Sequence, residues 1–418
     1  MRIWIFHHYA TLPHLNGLIR PFRFACHLHE HQIETTIFAA SFQHYSGENL
    51  IQGKAAYLEE EANGIPFVFI KTSNGLSGFS RIKNMFSFYR GLKKECRRYA
   101  AAHGIPDCIL ASSPHPLTMQ AGLEIAKEIS IPCICEIRDL WPEAIFKVSK
   151  RIKENNFIGR GLIAGEHSIY KKADALIFTK EGDTDYLKER GWTTSQGGDI
   201  DLSKCFYINN GIEMNDYVQQ IDAVPFADKD LEDDSFRVVY AGAIRPVNNV
   251  ANILEAAKLL KDKPIKFLIY GDGNQRAALE QKGKAEGISN VLFKGFVEKK
   301  YLPYILSKSS ANLLNYSSDH YNWSRGISSN KLFEYLASGK PVISTVKTGY
   351  SIVERNRCGI EMEIQSPQDL AEAVLYVKNL PPQEYEAYCQ NARATARQFD
   401  YGLLTQKLLD VINYVLRK

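Results

Sequence analysis

The sequence predicts an α/β protein made of two doubly wound domains, and three observations support this. The chain has 418 residues, well above the roughly 150 residues of a typical single domain. Short apolar runs alternate with longer amphipathic stretches, which is typical of parallel sheets covered by helices on both faces. The alternation begins again after about residue 235. We therefore expect one domain over residues 1–210 and a second over residues 236–395.

The first series contains six predicted strands. They are RIWIF, IETTIFA, PFVFIK, DCILA, CICEI and ALIFT. Amphipathic segments at residues 18–30, 81–103 and 117–129 separate them, and another at 183–190 follows the last strand. Apolar strands of this kind, separated by helices, predict a parallel sheet.

The second series predicts five strands with helices between them. The strands are FRVVYAG, KFLIYG, NVLFKG, ANLLN and PVIST, and the helices that alternate with them include residues 250–260, 274–286 and 330–338. Residues 211–235 are predicted as a linker, because an Asn-Gly turn lies at their start and the stretch AVPFADKDLEDDS within them is acidic and has few apolar side chains. Residues 396–418 predict a C-terminal helix with one apolar face, which packs on the second domain or crosses back to the first.

Composition excludes several classes of protein. A net charge of +4 is too small, for this length, to indicate a nucleic-acid-binding protein. No apolar run reaches the roughly 18 residues of a membrane span, and the first residues read as a strand rather than a signal peptide. The eight cysteines show no zinc-site spacing. We therefore expect a cytoplasmic protein with no metal and no other cofactor.

The strongest local motif is SSNKLFEYLASGKPVI, in which a helix begins after a serine pair. Ser329 or Asn330 can cap this helix, and its first backbone N–H groups can bind an anion. Lys331 is a cation in the first turn, where the helix dipole disfavours it unless an anion lies opposite. Glu334 follows one turn after Asn330 and can accept hydrogen bonds from ribose hydroxyls. A plain capped helix with solvated charges explains the motif equally well.

Other candidates also follow predicted strands, where open α/β sheets bind ligands. Arg245 follows RVVYAG and could bind a phosphate with two parallel hydrogen bonds. Gly271 and Gly273 form a tight turn after KFLIY, and Gly17 opens the first helix. A surface arginine, ordinary turn chemistry and a helix start are the alternative explanations.

The segment EIRDLWPE places four charges around a strand end. Arg138 and Asp139 are costly to bury unless they are paired, which favours a site over a core. His7 and His8 end the first strand, and one of them is expected to face the site. We take Arg138, Asp139 and His8 as candidate catalytic residues.

The predicted helix at residues 81–103 is amphipathic and strongly basic. Its basic side chains include Arg90, Lys93, Lys94, Arg97 and Arg98. A basic amphipathic helix can lie on an anionic membrane surface. A helix that buries its apolar stripe and leaves a solvated basic face is the alternative.

Several motifs together resemble glycosyltransferase family 4, and more closely its bacterial surface-polysaccharide branch, which includes fucosamine-transferase-like proteins. The motifs are ASSPHPLTMQAG, CEIRDLWPEAI, YKKADALIFTKEGDTDYLKERG and GISSNKLFEYLASGKPVIST. The resemblance implies the GT-B fold, in which two Rossmann-like domains face each other across a cleft. It also implies transfer of a sugar from a nucleotide donor with retention of configuration and without an essential metal.

The resemblance also assigns residues. Glu334 matches the second glutamate of the E-x7-E motif, which holds the ribose. The other matches are Ser329, Asn330 and Lys331 along the diphosphate, Gly271 and Gly273 at the nucleotide turn, Phe296 and Val297 at the base, Gly17 in the glycine loop, and Arg138 and Asp139 near the reacting sugar. Gly326 stands where the first glutamate is expected, and Ala243 and Asn248 occupy the charged positions of the G-R-x4-K clamp. Arg245 and Lys331 are the candidate replacements.

These expectations define one function and its alternatives. The protein is expected to be a retaining, metal-independent hexosyltransferase that moves a sugar from a UDP-sugar or another NDP-sugar to a lipid-linked glycan. The product would serve capsule, O-antigen or exopolysaccharide synthesis, with the enzyme bound peripherally at the inner face of the cell membrane. The alternatives are a nucleotide-sugar epimerase of the GT-B fold and a non-catalytic protein that binds nucleotide sugars.

Overall fold

The computed structural model describes residues 1–15, 17–149, 151–320 and 322–417. The chain divides into two units, each with its own sheet. The first unit contains Met1–Asn209 and Tyr401–Lys418, and the second contains Asn210–Asp400. The predicted α/β class with two parallel-sheet domains is confirmed.

The first unit is built on an eight-stranded sheet. Its strands are β1 (Arg2–His7), β2 (Glu34–Ala40), β3 (Tyr57–Ala62), β4 (Ile65–Ile70), β5 (Cys108–Ser112), β6 (Cys133–Ile137), β7 (Ala175–Phe178) and β8 (Cys205–Tyr207). They are ordered β3-β4-β2-β1-β5-β6-β7-β8, and every neighbouring pair is parallel except β3 with β4. The parallel strands therefore end at one edge of the sheet, which we call the carboxyl edge.

Among the described residues, six helices of the first unit precede the second unit in the chain. They are α1 (Arg20–Glu30), α2 (Gly78–His103), α3 (Pro116–Ile129), α4 (Glu143–Val148), α5 (Phe157–Lys172) and α6 (Asp183–Glu189). A buried cluster that includes Trp4, Phe6, Phe38, Phe88 and Tyr170 joins the sheet to these helices. The burial of large aromatic side chains stabilises this unit.

The second unit has a six-stranded parallel sheet. Its strands are β9 (Phe236–Ala241), β10 (Ile265–Tyr270), β11 (Val291–Gly295), β12 (Ala311–Leu314), β13 (Val342–Ser344) and β14 (Gly359–Glu361), in the order β11-β10-β9-β12-β13-β14. Its helices are α7 (Met214–Ala223), α8 (Val250–Leu259), α9 (Arg276–Ala285), α10 (Leu302–Ser307), α11 (Asn330–Ala337), α12 (Ile352–Arg355), α13 (Pro367–Lys378) and α14 (Pro382–Gln398).

The segment predicted as a linker, residues 211–235, is largely structured. It contains α7, which packs on α10 and α11 within the second unit. Its acidic side chains form ion pairs there, since Lys294 Nζ lies 2.7 Å from a carboxylate oxygen of Asp228 and 2.6 Å from one of Asp230. The acidic composition thus reflects ion pairing as well as solvation.

The last helix, α15 (Tyr401–Leu416), is part of the first unit. It packs against α1, where the rings of Phe24 and Tyr401 meet edge to face with centroids 5.6 Å apart. The chain therefore returns to the first unit after α14, which is one of the two placements that the sequence left open.

Candidate functional site

In the second unit, the candidate residues gather where α11 begins, beside the end of β9. The hydroxyl of Tyr335 on α11 donates to the carbonyl of Ala241 (3.1 Å) and accepts from its N–H (3.0 Å). This double hydrogen bond ties α11 to the last residue of β9. It places the first turn of the helix against the loop that starts at Gly242.

Lys331 occupies that first turn, and its amino group is held by aromatic rings. Lys331 Nζ donates to the hydroxyl of Tyr240 (2.9 Å), lies 4.5 Å from the centre of the Tyr240 ring and 5.6 Å from that of Tyr316. Burial lowers the pKa of Lys331 to about 7, against a smaller raising effect of Glu334. Within the described ranges no carboxylate lies within 4 Å of this amino group, so its charge has only neutral partners close by.

The backbone at Gly242 leaves room for this amino group. A Cβ atom at Gly242 would lie 2.2 Å from Lys331 Nζ, and the residue has φ of +151°. Any side chain here would displace the amino group. Gly242 therefore lets the loop after β9 approach the cation directly.

The next loop packs on the same backbone, and this explains the two glycines of the predicted turn. A Cβ at Gly271 would lie 1.9 Å from the carbonyl oxygen of Gly242, and one at Gly273 would lie 2.2 Å from that of Ile244. The loops after β9 and β10 are thus in backbone contact. Close packing alone accounts for these glycines, whether or not a ligand also approaches them.

The remaining candidates of the second unit differ in their exposure and in their partners. Ser329 does not cap α11 with its side chain; its hydroxyl instead lies 2.7 Å from that of Tyr316. Asn330 is exposed, and Glu334 is mostly buried, with its carboxylate 3.2 Å from Lys299 Nζ. Arg245 is exposed after β9, and Val297 is half-buried after β11.

The positions that depart from the expected motifs have structural roles. Gly326 has φ of +99°, a conformation that favours glycine over glutamate. Asn248 is buried, and its carbonyl accepts a hydrogen bond from Asn315 Nδ2 (2.6 Å). Neither position supplies a charge.

In the first unit, polar side chains meet at the carboxyl edge around the end of β6. Arg20 and Glu136 form a buried ion pair, with Arg20 Nη2 at 2.7 Å from Glu136 Oε1. Although burial alone would raise it, the pKa of Glu136 is lowered to about 2 by Arg20 and Arg138. Arg20 Nη2 also donates to the carbonyl of Ile208 (2.9 Å). This pair fixes the end of β6 to the chain just before the second unit begins.

The predicted catalytic residues are placed differently from one another. Asp139 is exposed. Arg138 is half-buried, and its backbone N–H donates a hydrogen bond to the hydroxyl of Ser113 (3.0 Å). His8 is buried between Asn84 Oδ1 and the ring of His115, each 2.7 Å from one of its nitrogens. Burial lowers the pKa of His8 to about 3, so the ring is neutral and fully engaged.

Sequence reasoning selected His8 but missed its hydrogen-bonding partner, His115. His115 lies in the motif SSPHP directly after β5, so the rule of polar residues at strand ends could have selected it. His7 is buried, and neither of its ring nitrogens has a hydrogen-bond partner in the described part of the chain. Burial, and then the nearby charge of Arg138, lower the pKa of His7 to about 3.

Gly17 is also accounted for by packing. It lies before α1, which begins at Arg20 rather than directly after Gly17 as predicted. A Cβ at Gly17 would lie 2.6 Å from the side chain of Thr11, so the segment before α1 leaves no room there for a larger residue. Asn16, which precedes Gly17 and completes the match to the glycine loop, lies outside the described residues.

Acidic residues pair with four of the five basic residues predicted for membrane contact. Lys93 pairs with Glu124 and Arg97 with Glu128 on α3, each at 2.5 Å, while Arg98 lies 2.9 Å from a carboxylate oxygen of Glu95 and Lys94 lies 3.8 Å from the other. The basic side chain of each pair is exposed or partly exposed, and ion pairs at an exposed surface contribute little to stability. The helix has more basic than acidic residues and therefore carries an excess of positive charge. No described helix is long and apolar enough to span a bilayer.

The whole chain resembles solved glycosyltransferase structures. Sucrose-phosphate synthase from Thermosynechococcus elongatus is similar with a TM-score of 0.73 at 15% identity. The alignment covers 100% of this chain and 99% of the synthase chain. HepE from Anabaena, solved in complex with UDP-glucose, has a TM-score of 0.64 at 14% identity and covers 99% of both chains. The protein therefore has the mixed α/β, two-domain fold of the GT-B glycosyltransferases.

Comparisons at the level of sequence agree with this fold and also point to glycosyl transfer. Residues 235–379, which lie within the second unit, match the family model of glycosyl transferases group 1. WcaI of Escherichia coli (strain K12), named for glycosyl transfer in colanic acid biosynthesis, is 32% identical over 85 residues, or 20% of this chain and 21% of that protein. TuaH of Bacillus subtilis (strain 168), named for glycosyl transfer in teichuronic acid biosynthesis, is 25% identical over 279 residues, or 66% and 65% of the two chains.

Proposed function

We propose that the protein is a retaining glycosyltransferase that moves a sugar from an NDP-sugar, in the first place a UDP-sugar, to a lipid-linked glycan. The observation that carries the proposal is the position of the Lys331 amino group. It is held at the start of α11, beside Gly242 in the loop after β9. Departure of a nucleoside diphosphate leaves negative charge that must be stabilised where it develops. Lys331 and the first N–H groups of α11 supply positive charge at one place.

The neutral surroundings of Lys331 suit an anionic ligand. A half-buried ammonium with only tyrosine partners is costly, which is why its pKa is low. A diphosphate beside it would restore the charged form and recover that cost. Because this cation performs the task that a metal performs elsewhere, we propose a metal-independent reaction.

The other donor contacts follow from the same placement. Glu334 lies one turn further along α11 and is proposed to accept hydrogen bonds from the ribose. Gly271 and Gly273 keep the loop after β10 close to the diphosphate, Val297 lies where the base is proposed to bind, and Arg245 is exposed and able to reach a phosphate. The choice of uridine is supported by the similarity to HepE, which was solved with UDP-glucose.

The acceptor is proposed to bind at the carboxyl edge of the first unit. Arg138 and Asp139 follow β6 there, and the exposed Asp139 carboxylate is available to orient an acceptor hydroxyl. The names of WcaI and TuaH refer to glycosyl transfer in colanic acid and teichuronic acid biosynthesis. We therefore assign the protein to the surface-polysaccharide branch of family 4, near the fucosamine-transferase-like proteins, working at the inner face of the cell membrane.

The test is a panel of UDP-, GDP- and dTDP-sugars, read by thermal shift and by release of nucleoside diphosphate with and without lipid extract. The wild type is compared with Lys331→Met, Glu334→Ala and the control Lys284→Met, which removes an exposed lysine of α9. One donor should stabilise the wild type and the control but neither site variant, and lipid extract should stimulate release. Absence of stabilisation by every nucleotide sugar would overturn the donor site. Stabilisation without turnover would instead indicate a non-catalytic binding protein.

A further inference from the structure

The start of α2 presents large apolar side chains to solvent. Phe79 is 81% exposed, Ile82 50% and Phe86 45%. Their spacing places all three on one side of the helix, while Phe88 and Leu92 on another side are fully buried in the core. The fold therefore does not need these three side chains, and a row of exposed apolar residues indicates a contact surface.

The same side of α2 becomes basic further along the helix. Arg90 and Arg97 lie about three and about five helical turns after Phe79, nearly in line with it. Arg90, at the junction between the two halves, has no carboxylate within 4 Å among the residues that the structure describes. The exposed side of α2 thus runs from apolar at its start to basic at its end.

A second exposed apolar cluster begins α5. Phe157 is 93% exposed and Ile158 is 56% exposed. The exposed residues Arg151, Lys153 and Arg160 flank them in sequence. This cluster has the same composition as the first, with apolar side chains bordered by positive charge.

Topology places both clusters at the carboxyl edge of the first sheet. The crossovers from β4 to β5, β5 to β6 and β6 to β7 all run in the same direction across the sheet, so right-handed connections put α2, α3 and α5 on one face. Each helix follows a parallel strand and so begins near the carboxyl edge. Because α3 packs between α2 and α5, the two clusters are roughly 16–20 Å apart.

We propose that these two clusters form one docking surface for an anionic lipid bilayer, with Phe79, Ile82, Phe86, Phe157 and Ile158 entering the interface. This inference rests on the proposed function, because the acceptor residues Arg138 and Asp139 lie at the same edge. Apolar side chains enter the boundary between headgroups and acyl chains, while basic side chains attract anionic headgroups. The surface would hold the acceptor site next to a lipid-linked substrate.

The charge around the surface favours a bilayer over a second copy of the chain. A symmetric dimer through this surface would bring the basic residues of both copies together, and like charges repel. An anionic bilayer has the complementary charge. The proposal also differs from the membrane contact predicted from sequence. Insertion of apolar side chains carries it, whereas the sequence prediction relied on five basic residues, four of which are paired with acids.

The experiment measures sedimentation of the full chain with vesicles of phosphatidylcholine alone or with phosphatidylglycerol added. The variants are F79S/I82S/F86S and F157S/I158S. The matched control is Leu403→Ser, which removes a side chain of similar exposure (54%) on α15, a helix that packs with α1 rather than with α2 or α5. All are compared by circular dichroism to confirm folding.

We expect the wild type and Leu403→Ser to bind vesicles that contain phosphatidylglycerol. The affinity of each cluster variant for these vesicles should be at least roughly tenfold lower. The result that overturns the proposal is equal binding by the cluster variants and the wild type, or no binding by the wild type. A concentration-dependent dimer that the cluster variants abolish, with vesicle binding absent, would identify a second copy as the occupant. Thermal shift by nucleotide sugars without vesicles reports the donor site separately, so failure of one proposal is distinguishable from failure of the other.

Discussion

Donor binding should depend on pH through Lys331. Burial lowers the pKa of this amino group to about 7, whereas an exposed lysine stays protonated beyond pH 10. A bound diphosphate stabilises the ammonium form and raises this pKa, so binding above pH 7 requires uptake of a proton. The diphosphate of a nucleotide sugar is a diester and does not itself titrate between pH 6 and 8. The pH dependence in this range is therefore assigned to the protein.

The size of the effect follows from the pKa. The free protein would have about nine tenths of Lys331 protonated at pH 6, about half at pH 7 and about one tenth at pH 8. If the bound form stays protonated throughout, the affinity falls about tenfold from pH 6 to pH 8. This corresponds to about 1.4 kcal/mol of binding free energy.

Isothermal titration calorimetry in buffers of different ionisation enthalpy measures both quantities. At pH 8 the wild type should take up about 0.9 proton for each donor bound, by the same protonation fractions. Lys331→Met should bind more weakly at pH 6 and take up no proton, whereas Lys284→Met should behave as the wild type. A wild-type affinity that is constant from pH 6 to pH 8 would refute the reasoning, as would unchanged proton uptake in Lys331→Met.

Three further predictions concern stability. Glu136→Gln leaves a buried arginine without its charged partner and should destabilise the first unit by about 3–5 kcal/mol in urea unfolding. Burial raises the pKa of Glu166 from 4.5 to about 8, so stability should fall as pH rises from 4.5 to 8, and thermal unfolding of Glu166→Gln should lack that fall. Gly273→Ala would place its Cβ 2.2 Å from a carbonyl oxygen and should lower the melting temperature, whereas Gly161→Ala on α5, where no atom lies within 4 Å, should raise stability by about 1 kcal/mol.

The alternation of apolar strands and amphipathic helices was enough to predict the fold class. Elements that lack this pattern escaped prediction. Strand β3 is an edge strand with the sequence YLEEEA and three exposed glutamates, so it has no apolar run. Strand β14 has only three residues. Helix α7 lies in an acidic segment whose composition suggested a linker.

Sequence periodicity identifies faces of a helix but not what covers them. Ile82 and Phe86 are apolar residues of the amphipathic helix predicted at residues 81–103, and helical spacing alone does not distinguish them from the residues that this helix buries. The structure exposes both, since the core is filled by Met85, Phe88 and Leu92. Packing partners come from distant parts of the chain, and spacing within one helix carries no information about them.

The same limit applies to charge, and it bears on the altered phosphate motif. Judged from the motif alone, the loop after β9 lacks positive charge, because Ala243 and Asn248 replace the charged residues of the G-R-x4-K clamp. The structure brings a cation to that loop from a residue 91 positions away, since Lys331 Nζ bonds Tyr240 and abuts Gly242. Phosphate binding requires a positive charge close to the phosphate, and a residue outside the motif can supply it. A donor site is therefore compatible with this loop, provided that α11 supplies the charge.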